Sequence, residues 1–169
     1  MIDWNRIIKE HGPAVWQTAY RLLGNDADAS DCFQETFVSA LGFCRRQRVR
    51  NFSALLARLA TARAIDQLRR RFRQAQSKTE FMDCTTAEGE NVCPHQQAEQ
   101  KELAERIRQM LGKLPPQEAQ VFCLRYLNDM SYRQIAEQLG ITTNSAGVLL
   151  HRARARLRES IALSAQELE

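Results

Sequence analysis

The chain has no apolar run long enough to cross a bilayer, although 44% of its 169 residues are hydrophobic. Its first residues, MIDWNRIIKEHG, carry acids among the apolar positions and lack the apolar core and small-residue cleavage site of an export signal, so nothing directs it out of the cell. Strict polar–apolar alternation is absent as well, which argues against half-buried strands. No glycine-rich phosphate loop occurs, and His11 and His151 have no nearby Ser or Cys of a catalytic kind. An enzyme is therefore not expected. The five cysteines are odd in number and scattered, which suits free thiols in a reducing cytoplasm. Cys84, Cys93 and His95 form only C-x8-C-x-H, with no close cysteine pair and no fourth ligand, so no metal and no cofactor is expected.

What remains is a helical sequence rich in arginine, and the expected class is all-α: two small helical domains joined by a flexible linker. Trp4, Ile7 and Ile8 suggest a first helix broken at Gly12-Pro13; Val15, Ala19, Leu22 and Leu23 suggest a second, ending at Gly24-Asn25. Ala29, Cys32, Phe33, Thr36, Phe37, Ala40, Leu41 and Cys44 keep the spacing of an amphipathic helix, with Asp26, Asp28 and Asp31 complementing the dipole near its start. A further helix from about Phe52 to Phe72 has a stripe that shifts partway, as if serving two surfaces. Periodicity fails over 76–97, which is polar and acidic. It returns with Leu103, Ile107, Leu111 and Leu114, is cut at Pro115-Pro116 and resumes to Leu127. The expected units are thus residues 1–75, a linker 76–97, and residues 98–169.

Charge is segregated along this plan. Residues 1–75 hold 13 Lys+Arg against 7 Asp+Glu, residues 76–100 hold 1 against 5, and residues 101–169 hold 10 against 8. Twenty of the 24 cations are arginine, the better residue for phosphate contact and base stacking.

Three clusters could carry a function. In MSYRQIAEQLGITTNSAGVLLHRARARLR, from Met130, a Ser131/Gln134 capping box opens a helix that Gly140 stops before a second helix opens at Thr142. That is a helix-turn-helix, whose second helix buries Ala146, Leu150, Ala153 and Leu157. It leaves Ser131, Arg133, Thr142, Thr143, Asn144, Ser145, Val148, His151, Arg152 and Arg154 to meet duplex DNA. The second cluster is Arg45, Arg46, Arg48 and Arg50, with Asn51 beside them, followed by Arg58, Arg63, Arg69, Arg70, Arg71 and Arg73, dense enough to hold a nucleic-acid backbone. The third, Asp28, Asp31, Gln34 and Glu35, presents an acidic and amide edge suited to a basic protein surface.

The order of these clusters resembles the extracytoplasmic-function (ECF, group IV) sigma factors of bacterial RNA polymerase over nearly the whole chain. The matching stretches are AYRLLGN from Ala19, DASDCFQETF from Asp28, FSALLARLATARAIDQLRRR from Phe52, LPPQEAQVFCLRYLNDMSYRQIAEQLGI from Leu114 and LHRARARLRE from Leu150. The resemblance implies a factor that directs promoter-specific initiation. Its DxxDxxQET edge, here Asp28, Asp31, Gln34, Glu35 and Thr36, would dock on the clamp helices of the polymerase's largest subunit, and the basic cluster would melt the downstream element and hold a flipped base. The helix-turn-helix would read the upstream element in the major groove. It also implies an anti-sigma partner. Departures occur at Leu55 and Ala62, where many relatives have tryptophan and asparagine. They occur again at Asn144 to Leu149, where two usual cations are missing. The rival readings are a free-standing helix-turn-helix regulator, which leaves the acidic edge unexplained, and an adaptor that binds polymerase without reading promoters.

Overall fold

The computed structural model describes residues 2–78 and 94–166, with side chains over 2–76 and 100–163. Among the described residues there are seven helices and no strand: α1 (Trp4–Leu23), α2 (Asp26–Arg46), α3 (Phe52–Lys78), α4 (Pro94–Lys113), α5 (Pro116–Tyr126), α6 (Tyr132–Leu139) and α7 (Thr143–Gln166). None of them is long and apolar enough to cross a membrane. Cys84 and Cys93, and most of the acidic stretch 76–97, lie outside the described residues.

The sequence predicts a break at Gly12-Pro13, but α1 runs straight through it with Pro13 inside the helix. Proline removes one intrahelical hydrogen bond, yet Pro13 sits on the exposed side while Ile7, Val15, Ala19, Leu22 and Leu23 line the buried one. Each fully buried aliphatic side chain contributes about 1.5–3 kcal/mol, so the continuous apolar face outweighs the lost bond. Helix ends follow the chemistry of their caps. Asn25 Oδ1 accepts from Asp28 N at 2.8 Å to start α2, and Gly24 ends α1 in the left-handed conformation at φ 77°.

Helix α3 is the central element. Leu56 and Ala60 pack with Ile7, Val15, Phe37 and Ala40 of α1 and α2 in one cluster, edged by the Trp4–Phe52 and Phe33–Phe37 ring pairs. Ala64, Ile65 and Leu68 join a second cluster with Leu22 and Leu23 of α1, Cys32 of α2, Leu111 and Leu114, Cys123 of α5 and Ala153 of α7. Ala54 reaches a third, formed by Val121, Leu124, Met130, Ile135, Ala146 and Leu150. The drifting apolar stripe therefore does serve more than one surface, and residues before and after the acidic stretch share a core.

Polar contacts reinforce that sharing. Asn128 donates to Thr18 Oγ1 at 2.9 Å and accepts from Thr61 Oγ1 at 3.3 Å, both threonines being buried. Arg69 Nη1 donates to the Leu114 carbonyl at 2.6 Å, and Arg108 Nε to the Arg21 carbonyl at 3.3 Å. Gly112 lets the Phe72 ring close in, because a Cβ there would stand 2.3 Å from it. Burial pushes the Cys32 thiol up to about 11 and the Cys123 thiol up to about 12. The regular spacing of Leu103, Ile107, Leu111 and Leu114 is only half used: Leu111 and Leu114 are buried, whereas Leu103 and Ile107 are exposed.

Candidate nucleic-acid interface

The helix-turn-helix forms as its caps dictate. Ser131 Oγ accepts from Gln134 N at 3.2 Å while Gln134 Oε1 accepts from Ser131 N at 2.8 Å, closing the capping box on α6. Gly140 takes φ 65°, a conformation that favours glycine, and turns the chain toward α7. Thr142 Oγ1 accepts from Ser145 N at 3.0 Å and lies 2.8 Å from Ser145 Oγ, so these two hydroxyls cap the helix and engage one another. Beneath, Ile135, Ala146, Leu150 and Ala153 are buried.

All ten positions expected to face DNA are exposed: Ser131, Arg133, Thr142, Thr143, Asn144, Ser145, Val148, His151, Arg152 and Arg154. Around the middle of them lies an open depression of about 610 Å³ lined by Tyr132, Thr143, Asn144, Gly147, Val148, His151 and Arg152. Tyr132 was not legible as a site residue from spacing alone. It is the first residue of α6, held by the Arg125 guanidinium 5.7 Å from its ring centre, and Arg125 is itself fixed to the Met130 carbonyl at 3.1 Å.

The second basic cluster is not one uniform surface. Arg45, Arg46, Arg48, Arg50 and Arg70 are exposed. Asn51 uses its Oδ1 to cap α3, accepting from Ala54 N at 3.0 Å. Arg58 lies 5.4 Å over the Phe43 ring, where burial lowers its pKa. Arg63 pairs with Glu35 at 3.6 Å and donates to Ser39 Oγ at 3.0 Å. Arg69 is tied to Leu114. Arg71 donates to the Leu23 carbonyl at 3.0 Å and forms an ion pair with Asp28; burial lowers its pKa, as does the Arg108 charge, while Glu105 opposes the shift. A cavity of about 480 Å³ opens between this cluster and the helix-turn-helix. Phe43, Arg48, Arg50, Asn51 and Arg58 line one side of it, and Glu137 to Gly140 the other.

On α2, Asp31, Gln34 and Glu35 are exposed together, as the spacing requires. Thr36 is not with them: it is fully buried and its hydroxyl donates to the Cys32 carbonyl at 2.7 Å. Its place on the apolar face, next to Cys32 and Phe33 in register, already signals this. Asp28 is half-buried against Arg71 and Asn25. Val38, 69% exposed, and Leu41, 39% exposed, continue the acidic edge as an apolar one, although apolar spacing alone assigns Leu41 to the core.

These features define an all-helical protein with an exposed helix-turn-helix and, across a shared cavity from it, a basic loop and helix. Residues 7–74 match the model of sigma-70 region 2, and residues 104–157 that of sigma-70 region 4. The RNA polymerase sigma factor YlaC of Bacillus subtilis is 32% identical over 144 residues, covering 82% of this chain and 80% of YlaC. The ECF RNA polymerase sigma factor SigE of Mycolicibacterium smegmatis is 30% identical over 99% of this chain, which spans 65% of SigE's length. Among solved structures, CnrH in complex with the cytosolic domain of CnrY is similar at a TM-score of 0.58 and 25% identity, over 95% of this chain and 87% of that one. The sigma factor RpoE in complex with the anti-sigma factor NepR from Bartonella quintana shares the fold at 0.56 and 20% identity, over 95% and 97%. The chain belongs to the sigma-70 family of RNA polymerase sigma factors. A region 2 match over the N-terminal half sets aside the free-standing regulator.

Proposed function

We propose that this chain is a group IV, extracytoplasmic-function sigma factor that binds core RNA polymerase in the cytoplasm and directs promoter-specific initiation. One observation carries the reading: a single chain presents, in the order region 2 then region 4, an exposed acidic edge, a basic loop and helix, and a helix-turn-helix whose outer face is open. In this reading residues 1–75 dock on polymerase and open the downstream element, 76–97 connect, and 98–169 hold the upstream element.

Asp31, Gln34 and Glu35, extended by Val38 and Leu41, meet the clamp helices of the largest polymerase subunit. Arg45, Arg46, Arg48 and Arg50 engage the melted strand. Opening a duplex costs a few kcal/mol per unstacked base, which capture of that base by cations and stacking groups repays. The cavity between Phe43, Arg48 and Arg58 supplies both kinds of group. In α7, Asn144 and Val148 read base edges while Arg152 and Arg154 hold phosphates. An anti-sigma partner is part of the proposal, supported by the similar CnrH having been solved with a bound cytosolic domain.

The test is reconstitution. Purified chain, sigma-free core polymerase and promoter DNA should give start-specific transcripts. Core binding without transcripts would favour the adaptor.

A further inference from the structure

We propose that Gly147, Val148 and Tyr132 form a notch that takes the 5-methyl group of one thymine in the upstream duplex, so that this chain selects a T·A pair by apolar contact. The proposal rests on the reading above, which lays α7 in a major groove, and its test separates the two.

Gly147 has no structural reason to be glycine. It lies inside α7, where glycine is among the residues least suited to a helix, and its φ is not positive. A Cβ built on it would meet nothing within 4 Å. The other glycines whose role is plain differ in this: Gly24 and Gly140 take left-handed φ, and Gly112 admits the Phe72 ring. At Gly147 the missing side chain leaves open space on the flank of the helix, between the buried stripe of Ala146 and Leu150 and the exposed Val148.

That space belongs to the depression of about 610 Å³ whose apolar lining is Tyr132, Gly147 and Val148. Tyr132 is 43% and Val148 42% exposed, although both stand among polar and charged neighbours. The rim supplies Asn144 on one side and Arg152 on the other, with Arg154 further along α7, a positive setting that suits a DNA duplex and not a basic or apolar protein surface. Of the four bases, only thymine shows a methyl group in the major groove. Asn144 lies one helical turn toward the N-terminus from Val148 and is the rim's amide, the group that pairs with the N6 and N7 edge of adenine. Thr142 and Ser145 already engage each other's hydroxyls, so discrimination falls to the notch and Asn144, with Thr143 and His151 beside them in the same depression.

The full chain reconstituted with core polymerase would be used to enrich active promoters from a library randomised over the upstream element. One thymine should become fixed, and replacing it with deoxyuridine, which removes only the methyl group, should lower initiation about fourfold, the value of one buried methyl. Gly147→Ala should cost at least as much on the thymine template and show no further loss on the deoxyuridine template. Val148→Ala, which removes one wall, should behave the same way with unchanged thermal unfolding. An enriched element without a fixed thymine, neutral deoxyuridine substitution, or a Gly147→Ala protein as thymine-dependent as the parent overturns the notch alone. Failure to enrich any upstream element overturns the promoter reading and the notch with it.

Discussion

The arginines of α3 and those of α7 look alike in sequence and are used differently in the structure. Along α3, Arg58 lies over Phe43, Arg69 is bonded to the Leu114 carbonyl, and Arg71 is bonded to the Leu23 carbonyl and paired with Asp28. Along α7, Arg152 and Arg154 are exposed with no ion pair among the described residues, and only Arg156 turns inward, to the buried Glu118 at 3.0 Å. A density of cations thus says that a surface is basic on average. Which guanidinium is left for a ligand depends on carbonyls and rings brought up from elsewhere in the chain.

Substitutions at the two sets of arginines, and in the core beneath them, should have effects of very different size. The largest effect is expected beneath the α7 surface and not on it: Ile135→Ala removes a fully buried side chain and should lower unfolding stability by about 2–5 kcal/mol in denaturant titration. On α3, Arg69→Ala and Arg71→Ala should each cost about 1.5–3 kcal/mol, because each deletes a charge-assisted bond to a backbone carbonyl. Losses under 0.5 kcal/mol at both would erase the distinction between the two sets. Alkaline pH probes the core that both sets cover. Cys32 and Cys123 stay protonated in the fold up to about 11 and 12, whereas their unfolded thiols ionise near 9.0, so their stabilisation is full below pH 9 and lost as pH rises above it. At pH 10 the loss is on the order of 1 kcal/mol per thiol, and a Cys123→Ala protein should show a shallower decline between pH 8 and 10 than its parent. The smallest stability effect belongs to Arg152→Ala and Arg154→Ala, within about 0.5 kcal/mol. Each should instead reduce the logarithmic salt slope of promoter binding by about 0.9.

Much of this was legible locally. The Ser131/Gln134 capping box, the Gly140 stop and the buried Ala146, Leu150 and Ala153 stripe all follow from neighbours three or four positions apart, and each appears in the structure. The amphipathic face of α2 is equally local, and it correctly placed Thr36 inward even though the DxxDxxQET edge suggests otherwise. What could not be read is what depends on distant partners. Pro13 looked like a break because its cost is local, while the face that overrides it is paid by α2 and α3. Arg71 looked free because Asp28 and Leu23 lie more than forty residues away. Leu103 and Ile107 looked buried because periodicity marks an apolar stripe without saying how far along it the neighbouring helices reach. Leu41 is hidden by the same ambiguity, and Val38, which lies outside the stripe, shows as part of the acidic edge only through its exposure.

The most direct test is run-off transcription by sigma-free core polymerase supplied with the parent chain, with Glu35→Arg, or with Arg152→Ala. The parent should give transcripts from one defined start. Glu35→Arg should abolish them through lost core binding while leaving the helices folded, and Arg152→Ala should retain core binding but weaken initiation increasingly as salt is raised. Binding of the parent chain to core with no defined start, or full activity of Glu35→Arg, would contradict the division of labour between α2 and α7.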